Sequence, residues 1–381
     1  MRVALINRYS PGSVPSHDSE LANTPGWELR IFYSLDRPKG PVGPLPFTYK
    51  KSASFSYRRK VRHAGSVQFT DENKVVLPLG LLFDLWRYNP DVIISVEMGF
   101  SSFVSAVYAF LAGNPFVVRH YGTLHSERDM SWKQRALRKF LITQADVFIG
   151  MGKEAREYLR TLKIDDDAIF DARNAVDMLP FLSDIPTHRR TAVRNELGIT
   201  GLCFLYVGRM IARKGLDYFL DAWDLFSKQV GNEAFLLMVG DGSQRDTILQ
   251  RVGRMAVKNV RCLPFVQPEN LPEIYHASDV FVFPTLDDVW GLVVNEAMAS
   301  GLPVICSKYA GCAPDLIVEG RNGWIIDPLD RAEVVDKLRE AWDARHQIQA
   351  MGRESRLLIS PINITSMAEG FRKAVRYALS K

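Results

Sequence analysis

No run in this 381-residue sequence reaches the roughly 18 apolar residues that a membrane-spanning helix needs, and the opening MRVALINRYS has no extended apolar core of the secretory type. The expected location is therefore cytoplasmic. Cysteine is sparse: Cys203, Cys262, Cys306 and Cys312 stand without CxxC spacing or clustered histidines, which disfavours disulfides or a metal centre and leaves core thiols. No GxGxxG follows the first apolar run or the run at 202–207, so a dinucleotide-dependent oxidoreductase is disfavoured. No nucleic-acid-binding signature occurs either, and nucleic acid is not an expected partner.

What is present is the composition of a globular protein, 47% hydrophobic and 24% charged, on a chain long enough for two cores. The net charge of +5 is uneven. Up to Arg190 there are 26 Lys and Arg against 20 Asp and Glu, and beyond it 22 against 23, so the first half carries the positive excess. A basic face suits an anionic partner such as a lipid-linked phosphate or a membrane surface. Residues 47–63, FTYKKSASFSYRRKVRH, interleave six Lys and Arg with Phe47, Tyr49, Phe55 and Tyr57. Without helical periodicity, they read as a surface loop, with contact to an anionic membrane as the second reading.

Short apolar runs alternate with helical patterns through both halves, the mark of doubly wound parallel sheets. Residues 281–307, FVFPTLDDVWGLVVNEAMASGLPVICS, are the centre of the second half. Two buried strands flank a short helix opened by Gly291. Asp288 and Glu296, with seven residues between them, face one mouth, and the amides of Gly291, Leu292 and Val293 are free to meet an anion or a sugar oxygen. Upstream, GRMIARKG follows the strand at 202–207, so Gly208, Arg209 and Lys214 bring a sharp turn and two cations to the start of a helix. Cations there oppose the helix dipole unless an anion sits between them.

At these residues the sequence resembles the retaining, nucleotide-sugar-dependent glycosyltransferases of the GT-B fold, glycosyltransferase family 4-like, marked by a glutamate, seven residues and a second glutamate. Asp288 holds the first place, one methylene short; Glu296, Ala297, Gly301 and Pro303 agree. In AGCAPDLI at 310–317, Cys312 replaces a glycine and Asp315 a glutamate. The resemblance covers 208–328 closely and 90–177 loosely, while 11–78 is unmatched. It implies an α/β protein of GT-B architecture: two Rossmann-like, doubly wound parallel-sheet domains facing a deep interdomain cleft. The expected domains are 1–182 for the acceptor and 183–360 for the nucleotide-sugar donor, with a helix at 361–381 crossing back to the first.

The same resemblance implies the site. Arg209 and Lys214 hold the donor's diphosphate without a metal or other cofactor, and Glu296 takes the ribose hydroxyls. Gly208, Asp241, Gly242, Phe265 and Val266 line the nucleotide. Asp288 with Gly291, Leu292 and Val293 takes the sugar, and His120 reaches it from the first domain. His120, Asp288, Arg209 and Lys214 are the catalytic candidates; Gly12, Glu97 and Tyr121 are the acceptor candidates. The expected partners are a nucleotide sugar, a glycan or lipid-linked acceptor in bacterial surface polysaccharide or glycolipid assembly, and an anionic membrane surface reached peripherally. A sugar-nucleotide epimerase, a phosphorylase and a catalytically silent membrane-associated scaffold remain as alternatives.

Overall fold

The computed structural model describes the chain apart from residues 11–16, 37–44, 64–68 and 256–258, with backbone alone at 59–63 and 69–73. Two compact units result: Met1–Asp177 together with Ile362–Lys381, and Met178–Pro361.

The first unit contains strands β1 (Arg2–Tyr9), β2 (Glu28–Leu35), β3 (Thr48–Lys51), β4 (Phe55–His63), β5 (Phe69–Leu77), β6 (Val92–Val96), β7 (Phe116–His120), β8 (Val147–Gly150) and β9 (Ile169–Asp171). Seven of them form one parallel sheet in the order β3-β2-β1-β6-β7-β8-β9. Its central strands are buried along most of their length because both faces are covered, whereas the edge strand β3 is exposed throughout. Val3, Leu5, Ile31 and Ile94 meet helices His17–Ala22 and Ile364–Leu379. Ala4, Ile6, Phe32 and Ile93 meet helices Leu81–Tyr88, Phe100–Ala112, Trp132–Gln144 and Lys153–Thr161.

The final helix joins this unit for a reason visible in its sequence. Asn363 and Ser366 form a reciprocal capping box at its start. Met367, Phe371, Ala374, Val375 and Ala378 then repeat at helical spacing and are buried against the sheet. Arg372 ties its outer side to Thr24 Oγ1 at 2.9 Å.

The basic segment at 47–63 is not a surface loop. β3 adds to the sheet edge, and β4 pairs with β5 as an antiparallel ribbon in register from Phe55↔Leu77 to His63↔Phe69. Aromatic residues such as Tyr49, Phe55 and Tyr57 favour extended backbone even where they stay exposed.

The second unit holds β10 (Leu202–Val207), β11 (Ala234–Val239), β12 (Val260–Leu263), β13 (Val280–Phe283), β14 (Val304–Ser307) and β15 (Gly323–Ile326), parallel in the order β12-β11-β10-β13-β14-β15. Helices Leu216–Val230 and Arg331–Asp343 cover one face around the fully buried Trp223, whose ring lies 5.3 Å from Phe204 and 5.5 Å from Phe226. Burying each of these side chains stabilises the unit by about 2–3 kcal/mol. On the other face Phe181 stands edge-on to Tyr275 at 5.5 Å. That contact moves the boundary: the turn Leu179–Leu182, expected in the first domain, belongs to the second unit.

In each sheet the order of connection reverses at one place, between β1 and β6 and between β10 and β13. Helices leave to opposite faces at such a point, so a crevice opens above the carboxyl ends of the two strands. Among the described residues no helix is long and apolar enough to cross a membrane.

Candidate active site

In the second unit the loop after β10 and the loop after β13 border that crevice. The chain leaves β10 at Gly208 and runs beside the turn after β11: Gly208 N–H donates to Val239 O at 3.0 Å and Met210 N–H to Asp241 O at 2.8 Å. The fit leaves no room for a side chain. Gly240, at φ 147°, lies so near Gly208 that a Cβ would overlap the Gly208 carbonyl oxygen. Gly208 and the Gly240-Asp241-Gly242 turn are therefore one packed unit, with Asp241 and Arg209 exposed along it.

Lys214 ends a short 3-10 turn at Ala212–Lys214, and its ammonium ion-pairs with Asp288, the two side chains being only 12% and 15% exposed. Lys214 Nζ also lies 4.9 Å from the centre of the Phe283 ring. The second oxygen of Asp288 accepts from the Trp290 amide at 3.2 Å. Burial pulls the Asp288 carboxyl up, but Lys214, Arg213 and the Trp290 amide together outweigh it and hold it below the usual carboxylate range. Asp288 also pairs by its backbone with the loop of Ala310: its N–H donates to Tyr309 O at 3.2 Å, and Gly311 N–H donates to its carbonyl at 2.8 Å.

These contacts correct one expectation. Lys214 does not stand as a free cation at a helix start, because Asp288, 74 residues away in sequence, already neutralises it. Arg209 differs: its side chain is exposed, and among the described residues only its backbone carbonyl is tied, accepting from the Tyr206 hydroxyl at 2.8 Å. Burial and the nearby Asp288 push the Tyr206 hydroxyl up, with Arg209 and Arg213 pulling the other way, so the four groups share one electrostatic neighbourhood.

Gly291, at φ 105°, opens helix Leu292–Ala299, and a Cβ there would stand 2.6 Å from the Phe283 ring. Phe283 thus joins Lys214 to the helix start, where the amides of Leu292 and Val293 have no preceding turn to bond. One turn on, Glu296 accepts from the Tyr275 hydroxyl at 2.8 Å. Glu296 is half-buried. Burial raises its carboxyl to about 7, against the opposing pull of the Tyr275 hydrogen bond. Trp290 is buried and donates its indole N–H to Asn295 Oδ1 at 2.9 Å, fixing the loop between the two acids.

The structure thus brings Gly208, Lys214, Asp288, Gly291 and, by way of the short helix, Glu296 to one end of the second sheet. Phe265, after β12, is exposed on the flank of β11, and Val266 is half-buried beside it. Tyr275, Phe283 and Trp290 were not legible as site residues. Each acts through a contact with a residue elsewhere in the sequence, Tyr275 with Glu296, Trp290 with Asn295 and Phe283 with Lys214, and aromatic positions in such a segment read simply as core. Among the described residues no three His, Cys, Asp or Glu side chains converge as a metal-binding group.

In the first unit His120 is the last residue of β7 and is buried, stacked on Tyr158 at 4.8 Å, with no hydrogen-bond partner for Nε2 among the described residues. Burial, then Arg138, hold its pKa well below the usual histidine value, so it is a neutral imidazole with one nitrogen unspent. Glu97, at the end of β6, takes the unusual φ of 85° and ion-pairs with Arg8 of β1 at 3.8 Å, across this sheet's own reversal point. The Tyr121 hydroxyl lies 3.4 Å from Arg119 Nη1, and its ring stacks under that guanidinium at 4.8 Å. Gly12 lies outside the described residues.

Two doubly wound parallel sheets, each reversing its order once, define the GT-B fold, and solved structures agree along the whole chain. A protein from Anabaena, Alr3699/HepE, in complex with UDP is similar with a TM-score of 0.76 at 15% identity, covering 99% of this chain and 100% of that one. Sucrose-phosphate synthase from Thermosynechococcus elongatus is similar with a TM-score of 0.75 at 17% identity, covering 100% and 99%. At these identities the likeness is one of fold. Residues 190–358 match the family of glycosyl transferases group 1. A D-inositol 3-phosphate glycosyltransferase of Nocardia farcinica is 27% identical over 254 residues, 63% of this chain and 54% of that protein. The chain spans about half the length, or less, of the curated relatives it matches.

Proposed function

We propose that this protein is a retaining, metal-independent glycosyltransferase that moves a sugar from a nucleoside-diphosphate sugar to a hydroxyl acceptor. The observation that carries the proposal is the joining of Lys214, Phe283, Asp288 and Gly291 at the reversal point of the second sheet, one helical turn from Glu296. An ammonium has three donors. Asp288 takes one and the Phe283 ring occupies one side, which leaves a donor for a phosphate oxygen. Exposed Arg209 supplies the uncompensated charge that a diphosphate needs, and both cations offset the charge that grows on the departing nucleotide.

Glu296 is the group for the ribose. Two vicinal hydroxyls donating to it would replace lost hydration, draw its proton off and turn a costly buried acid into a charge-assisted acceptor. Asp288 stays ionised through its partners, and with the free amides of Leu292 and Val293 it meets sugar hydroxyls. Among the described residues no side chain here is placed as a nucleophile with its own base, which favours a front-face displacement in which the leaving phosphate takes the acceptor's proton. The bacterial surface glycan or glycolipid acceptor belongs to the same proposal.

Titration calorimetry with UDP, GDP and other nucleoside diphosphates tests the reading. One of them binds in the presence of EDTA, and Glu296→Ala weakens it at least tenfold. Absence of binding by every nucleoside diphosphate, or unchanged affinity in the variant, refutes it. With the donor so found, the anomeric configuration of the product by NMR distinguishes retention from inversion.

A further inference from the structure

We infer that the outward face of helices Leu81–Tyr88, Phe100–Ala112 and Trp132–Gln144 in the first unit is a docking surface for a bilayer containing anionic lipid. The middle helix is built inside out. Its buried positions are the small Ser102, Ser105, Ala106 and Ala109 with Tyr108, whereas Phe100, Phe110 and Leu111 face away and Phe103, partly exposed, leans on Phe140 of the next helix. The spacing from 100 to 103 and on to 110 and 111 follows the helical repeat, so these side chains form one stripe. Phe110 and Leu111 are about three-quarters exposed, an arrangement that water alone does not favour.

The neighbouring helices extend the stripe sideways. Phe83 and Trp86 are exposed on the helix before it, and Trp132 on the helix after it. The three helices lie on the same face of the sheet. Tryptophan and phenylalanine together fit the boundary between headgroups and acyl chains.

Charge selects the partner. The middle helix has no charged residue, and the three helices contain one acid between them, Asp84, which is buried and bound by Lys50 and Ser52. Their cations are Arg87 on one flank and Lys133, Arg135 and Lys139 on the other, all exposed, with Arg138 turned inward onto Glu127. An uncharged aromatic centre with basic edges is complementary to a negatively charged lipid surface. It also differs from the ribbon at residues 47–63, where the cations lie on strands β3 and β4.

Sedimentation of the full chain with vesicles of phosphatidylcholine, alone and with one third phosphatidylglycerol, tests this surface without reference to activity. The wild type pellets with the anionic vesicles, and Trp86 and Trp132 shift their emission to the blue. A cation near such a surface contributes about fivefold to partitioning. Lys133→Gln/Arg135→Gln/Lys139→Gln together therefore lower it about a hundredfold. Trp86→Ser/Phe110→Ser/Trp132→Ser abolishes pelleting while circular dichroism and the melting temperature stay as in the wild type. A wild type that remains in the supernatant with anionic vesicles overturns the inference, as does an apolar variant that pellets undiminished. A wild-type dimer in solution that this variant converts to monomer, with no vesicle binding, overturns it in favour of a second copy on the same face.

Discussion

Glu296 holds its proton to about pH 7, whereas an unfolded chain releases it near the ordinary value of 4.5. Below 4.5 both states are protonated and the residue has no pH-dependent effect on stability. As pH rises from there, the unfolded state ionises freely and the folded state does not, so stability falls until the folded pKa is passed. At about 1.36 kcal/mol per pH unit, the full loss is about 3 kcal/mol above pH 7. Glu296→Gln removes the titration, keeps the shape and still accepts from the Tyr275 hydroxyl. Against the wild type, the variant therefore gains about 3 kcal/mol between pH 4.5 and pH 8, which for a unit of this size is about 6–12 °C in melting temperature. Scanning calorimetry at both pH values measures it, read on the transition of the second unit. The same variant binds the nucleoside diphosphate roughly 10- to 100-fold more weakly, because charge-assisted hydrogen bonds to the ribose become neutral ones. Parallel pH dependence in wild type and variant would show that Glu296 ionises as an ordinary surface acid, and its assignment to the ribose would lose its electrostatic basis.

Lys214→Met leaves Asp288 buried without its cation and costs about 3 kcal/mol at pH 7, fading in acid as Asp288 takes a proton. Adding Asp288→Asn restores stability but not nucleotide affinity; urea unfolding and calorimetry separate the two, and restored affinity would remove Lys214 from the diphosphate site. Gly240→Ala drives a methyl into the Gly208 carbonyl and lowers the second unit's melting temperature by about 4–12 °C, with weaker nucleotide binding and the first unit's transition unmoved. An unshifted transition would mean that the two loops are not packed as one.

How far the sequence foretold this structure depends on the range of the interaction concerned. The inner strands of the parallel sheets were legible because they are apolar runs bounded by turn residues, and burial on both faces leaves no other place for them. Gly208, Gly240 and Gly291 were legible as tight positions because only glycine tolerates what the structure imposes there. The strands at 48–51 and 55–63 were missed. They hold few apolar residues and carry consecutive cations at 50–51 and 58–60, and the partner strand at 69–77 is itself charged at Asp71, Glu72 and Lys74. Neither run carries the apolar signature of a buried strand.

The site itself failed to read in one specific way. Arg209 and Lys214 look alike in sequence, two cations before a helix, yet they are electrostatically opposite: one is exposed with no ion pair among the described residues, the other is mostly covered and neutralised by Asp288. That pairing also bears on the acid at 288. The Asp288 backbone is fixed by Tyr309 and Gly311, and from there one oxygen reaches Lys214 while the other takes the Trp290 amide. A glutamate would project its carboxylate about 1.5 Å further, past a hydrogen-bonding position set by a fixed backbone. The shorter acid is thus the one matched to this loop, and the departure from the resembled pattern at 288 reflects where the backbone stands rather than a loss of the carboxylate's partners.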